Sequence, residues 1–85
     1  MNNEEFNKAI VNFNDGKVKF NKGDNWSFLY NQKWYPTRAF MRHYYFLIGQ
    51  RKDDLTLHFA VYELSKHIPV VSCQVEYKNH RPIEL

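Results

Sequence analysis

Glu76-Tyr77-Lys78 carries a carboxylate and a lysine two residues apart, on one face of an expected strand. With Asp53 and Asp54 upstream, such a set can hold a divalent metal and orient a water for phosphodiester cleavage. The same Glu-x-Lys spacing arises on the solvent face of any strand. The two aspartates fall in a charged loop, and 85 residues leave little room for a nuclease of that kind. The metal-dependent nuclease built on Glu76 and Lys78 is therefore the least favoured reading, and no enzyme activity is expected. His43, His58, His67 and His80 show no metal-ligand spacing, and Cys73 stands alone. His43 lies amid apolar residues, where a hydrogen-bonded core histidine is the ordinary case. No glycine-rich phosphate loop, nucleophile elbow or Ser-His-Asp set is present, and nothing calls for a cofactor or a metal.

Binding chemistry is better represented. Arg38 and Arg42 stand one turn apart near the start of an expected helix, 36–48. Cations there oppose the helix dipole, and like charges at that spacing repel. Stability alone would favour acids, so the pair reads either as an anion site beside free backbone N–H groups or as a solvated face. Lys33 before the helix, and Arg51 and Lys52 after it, would extend a phosphate-binding patch. A second surface is a strip of His58, Phe59, Tyr62 and Lys66, off the apolar stripe of helix 56–67. It would stack on bases or dock a protein partner, unless that helix is buried on two sides.

These residues need elements to hold them. Phe6, Ala9, Ile10 and Phe13 mark one face of a helix over 3–14, with Asn2 and Glu5 as a capping box and "NDG" as its stop. "KVKF", 17–20, alternates like a short edge strand. Trp26, Phe28 and Tyr30 alternate on one strand, and "KWY", 33–35, answers across a turn at Asn31-Gln32. Pro36 suits the first position of the next helix, and Gly49 its C-terminal stop. Most aromatics of 31–46 are expected in the core. Asp53, Asp54 or Thr56 caps the last helix, which reaches about His67 and is stopped by Pro69. Leu57, Ala60, Val61, Leu64 and Ile68 are its stripe. "VVSCQVEY", 70–77, reads as a strand with Val71, Cys73, Val75 and Tyr77 on one face. Trp26, Phe28, Phe40, Leu47, Leu57, Val61 and Leu64 should be largely buried. The expected fold is α+β: one small domain over 1–85, ordered helix, β-hairpin, helix, helix, strand, with a small, mainly antiparallel sheet. It is of a size carried as a module within longer multidomain proteins.

With so short a chain, aromatics must fill much of the core: Phe, Tyr and Trp make up 18% of the residues. The net charge of +3 permits an anionic partner without demanding one. No segment has a signal-peptide pattern or the length of a membrane span, and the single cysteine fits a reducing compartment. A cytoplasmic protein without membrane association is expected.

"WSFLYNQKWYPTRAF", 26–40, resembles a motif in the N-terminal head domains of McrA-like, modification-dependent HNH restriction endonucleases. There an aromatic strand, an Asn-Gly-Lys turn and a Tyr-Pro-x-Lys-Ala helix start follow one another. Here Asn31-Gln32-Lys33 takes the turn, Tyr35-Pro36 matches, and Arg38-Ala39 takes the Lys-Ala place. No HNH ligand set accompanies the motif. The resemblance implies a non-catalytic, DNA-associated module of a prokaryotic restriction or defence protein, beside a nuclease or ATPase domain. The physical reading adds phosphate contacts through Lys33, Arg38, Arg42, Arg51 and Lys52. The alternative is a protein–protein interaction domain using the 58–66 strip.

Overall fold

The computed structural model describes residues 1–20, 25–76 and 81–83. Its elements run α1 (Asn3–Asn14), β1 (Ser27–Tyr30), β2 (Lys33–Pro36), α2 (Thr37–Leu47), α3 (Leu57–Ser65), β3 (Gln74–Val75) and β4 (Pro82–Ile83). This is a small α+β domain. β1 and β2 pair antiparallel with Tyr30 opposite Lys33, and β3 pairs antiparallel with β4. A bridge joins the two sheets' neighbourhoods: Ser27 and Val71 exchange both backbone hydrogen bonds, at 2.9 and 2.8 Å. Ser27 Oγ also donates to the Cys73 carbonyl at 2.7 Å.

Local chemistry sets the helix ends. Asn2 Oδ1 accepts from the N–H groups of Glu4 and Glu5. The reciprocal half of the expected capping box is replaced: Asn2 N–H donates to Tyr44 Oη at 2.8 Å, which ties the start of α1 to α2. Both α1 and α2 close with a left-handed glycine, Gly16 at φ 73° and Gly49 at φ 79°. In each, the next N–H bonds back into the last turn, Lys17 to the Asn12 carbonyl and Gln50 to the Tyr45 carbonyl. Thr56 caps α3, accepting from the Phe59 N–H at 3.1 Å.

The core is aromatic, as so small a chain requires. Phe28, Tyr35 and Phe40 are fully buried, Phe13 nearly so. Phe28 meets Phe40 edge-on at 4.8 Å and stacks on Tyr35 at 5.4 Å. Phe6 adds an edge contact to Phe40 at 5.2 Å. Ala60 and Leu64 press α3 against this cluster, and Leu55 closes the loop before it. Burying such rings at roughly 25 cal/mol per Å² is the main stabilising term.

Several expectations need correction. "KVKF" forms no strand: Val18 and Phe20 are anchored by their side chains against the core, Phe20 at 5.9 Å from Phe13. The free edge of β1 is meanwhile engaged by Val71 at Ser27. Pro36 is the last residue of β2 and caps α2 from an extended conformation (ψ 129°), so it is not the first helical residue. The helix α3 ends at Ser65, short of His67 and well before Pro69. Of the described part of the 70–77 run only Gln74–Val75 is a strand, and its partner Pro82–Ile83 was not foreseen. Tyr77 and Lys78 lie outside the described residues. Phe28, Phe40 and Leu64 are buried as expected, but Trp26, Leu47, Leu57 and Val61 are only half-covered. α3 packs chiefly on α2, so Ala60 and Leu64 take the centre of its stripe and Leu57 and Val61 its margin.

Candidate nucleic-acid interface

Ala39, Arg42, His43 and Phe46 recur at i, i+3, i+4 and i+7, so they share one face of α2. Val18 and Lys19, after the α1 stop, wall that face on one side. Arg51, Lys52 and Asp53, just beyond the α2 stop, wall it on the other. Between them lies a cleft of about 350 Å³. Among the described residues four cations line it, Lys19, Arg42, Arg51 and Lys52, against the single carboxylate of Asp53. Asp53 pairs with Arg51 Nε at 2.9 Å, both side chains being largely exposed. An ion pair so open to water is weak and easily exchanged for a stronger anion.

Lys52 is half-buried, with Nζ 5.1 Å from the Tyr45 ring and 5.7 Å from the Phe59 ring. These two faces hold the ammonium at the cleft's edge. His43 is half-buried, and its Nε2 accepts from Asn12 Nδ2 at 2.9 Å. Burial lowers its pKa below the ordinary 6.5, so the neutral ring is favoured. It is a hydrogen-bonded histidine, as expected, though it faces the cleft as well as α1.

The expected patch is thus regrouped. Arg42, Arg51 and Lys52 converge. Arg38 does not line the cleft: its Nε donates to the Leu55 carbonyl at 2.9 Å, tying the loop before α3 to α2. Lys33 sits beside the end of α1, Nζ at 3.4 Å from Asn14 Oδ1, also outside the cleft's lining. The start of α2 offers no open anion site at its first N–H. Pro36 and Thr37 are fully buried, and Thr37 N–H donates to the Trp26 carbonyl at 3.0 Å. The hairpin's pairing continues one residue into the helix and occupies the donor.

The strip on α3 is exposed in the main. His58, Phe59, Tyr62 and Lys66 all face solvent, with Lys66 Nζ 4.4 Å from the Tyr62 ring and 3.5 Å from Glu63. Lys52, in contact with Phe59, joins this strip to the cleft. Glu76 is exposed and donates its N–H to the Arg81 carbonyl. Among the described residues no three His, Cys, Asp or Glu side chains gather to hold a metal, and no helix is long and apolar enough to cross a membrane.

Two contributors to the cleft escaped the sequence reading. Lys19 was expected only as part of a short edge strand over 17–20. Phe46 belongs to the 31–46 aromatics, most of which were expected in the core, yet it is 61% exposed. Its position one turn after Arg42 was the available signal. No protein-family model, curated protein or solved structure matches the chain.

Proposed function

We propose that the chain is a non-catalytic DNA-binding module that holds phosphates in the cleft between α2 and the 50–53 loop. The observation that carries this reading is the convergence of Lys19, Arg42, Arg51 and Lys52 on one concave surface with, among the described residues, one exposed, weakly paired carboxylate. Cations brought together from three parts of the chain repel one another, and a polyanion relieves that cost. The resemblance of 26–40 to McrA-like head domains supports a setting in a prokaryotic restriction or defence protein, and the lone Cys73 suits the cytoplasm. Phosphate contacts of this kind position a domain on nucleic acid without reading its sequence.

The test is a salt titration of binding to duplex and single-stranded DNA. With up to four cations engaged, the logarithm of the binding constant should fall with the logarithm of salt at a slope of about −2 to −4. Arg42→Glu with Arg51→Glu should flatten that slope. A slope near zero, or no binding at low salt, would reject the reading. It would leave a protein partner on Phe59 and Tyr62, whose exposed rings and neighbouring Lys66 favour that second reading.

A further inference from the structure

Phe46 lies outside the buried core cluster. The core closes without it, and a ring 61% exposed gains little from burial. It stands amid the cations of the cleft, one turn from Arg42. Its ring runs nearly parallel to His43, 21° between planes and 6.2 Å between centroids. His43 in turn is held by Asn12 on α1. An apolar ring on a fixed support, ringed by positive charge, is complementary to a ligand with a flat apolar face beside an anion. An apolar peptide would satisfy the ring and leave the cations unmatched, and a phospholipid would match the cations with its phosphate but offer the ring flexible acyl chains in place of a flat face. A nucleotide satisfies both.

We infer that the cleft takes an unpaired nucleotide, its base stacked on Phe46 and its flanking phosphates on Arg42, Arg51 and Lys52. This rests on the nucleic-acid reading above and adds to it a preference for strands whose bases are exposed. In a duplex each base face is covered by its neighbours, so the ring has nothing to stack on except at an end or a gap. Asp53 leaves Arg51 when the phosphate arrives, since their exposed pair is weaker than a phosphate contact.

The test compares three labelled probes of equal length by fluorescence anisotropy: oligo-dT, an abasic deoxyribose-phosphate strand, and a duplex. The abasic strand keeps every phosphate and removes every base. Oligo-dT should bind about tenfold tighter than the abasic strand. Phe46→Ala should bring oligo-dT down to the abasic level and leave abasic binding unchanged, while Phe46→Trp should keep the preference. The ring's exposure means the thermal midpoint of Phe46→Ala should match the parent. Equal binding of oligo-dT and abasic strands by the parent overturns the stacking and leaves the phosphate site standing. So does a preference that survives Phe46→Ala. If no probe binds at low salt, the phosphate reading falls and the stacking with it.

Discussion

Arg38 and Arg42 lie one turn apart on the same helix, and truncating them should give opposite results. Arg38 is half-buried and gives the Leu55 carbonyl, in an almost fully buried residue, a charged donor. Arg38→Ala removes a hydrogen bond to a charged group, a class worth about 1.5–3 kcal/mol. Water can reach the vacated position in part, so about 1–2 kcal/mol is the expected loss. For a domain of this size that lowers the thermal midpoint by roughly 5–15 °C. Arg42 is exposed and lines the cleft. Arg42→Ala should change stability by less than about 0.5 kcal/mol. If it contacts one phosphate, its loss should lower the duplex salt slope by about 0.9, which at 0.1 M salt is roughly an eightfold weaker complex. Thermal melting and a salt-dependent binding titration on both variants give the four numbers. Arg38→Lys adds a control, since it keeps the charge but not the Nε donor; it should lose stability and keep the salt slope. If Arg42→Ala melts early and Arg38→Ala instead flattens the slope, the two roles are reversed and the cleft is misassigned.

Three further outcomes follow from local geometry. Asn31 and Gln32 both have positive φ, 49° and 68°, the signature of a type I′ turn; Gln32→Gly should raise the urea midpoint by an amount equal to about 0.5–1 kcal/mol, and a loss would mean the side chain has a stabilising role. Thr37 Oγ1 is buried with no hydrogen-bond partner among the described residues; Thr37→Val should stabilise by about 1 kcal/mol in chemical denaturation, and a loss of that size would reveal a bonded hydroxyl. His43 is neutral-favoured by burial, so its pKa is lower folded than unfolded. Above the ordinary 6.5 its contribution to stability is fully present, and it is lost as pH falls below 6.5 through the folded value. The acid-side loss should shrink in His43→Gln, measured as the thermal midpoint between neutral and mildly acidic pH; an unchanged profile would assign the effect to other groups.

Legibility in the sequence followed the range of the interaction. Asn2, Gly16, Gly49 and Thr56 act within a few residues of themselves, so their capping roles were readable from type and spacing. Pro36 was placed one position too far into the helix for a physical reason: a fixed φ suits both a strand's end and a helix's first turn. What decided it was the Thr37 N–H reaching the Trp26 carbonyl, a partner supplied by the hairpin. The 70–77 alternation specified a face and not a partner: Val75 is buried but Val71, expected on the same face, is exposed, and its bridge to Ser27 depends on how the whole chain closes.

The cleft shows the same limit more sharply. Arg38 and Arg42 stand one turn apart near the start of α2, and no local rule tells them apart. The distinction comes from one carbonyl, Leu55, seventeen positions along the chain from Arg38, which the α2–α3 loop brings within 2.9 Å. That loop, by turning back along α2 after the Gly49 stop, also carries Arg51 and Lys52 to the face that Arg42 and Phe46 share. One turn geometry therefore withdraws one arginine into the scaffold and commits another to the surface. The loop's return fixes both, so a change that straightened it at Gly49 should free Arg38 and disperse the cleft's cations in the same step. Gly49→Val is such a change: a β-branched residue is strained at φ 79° although no atom lies within 4 Å of its Cβ position. It should cost stability and nucleic-acid affinity together, whereas Arg42→Ala costs affinity alone. A Gly49→Val protein that melts early yet binds with the parent's salt slope would show that the cleft does not depend on the loop.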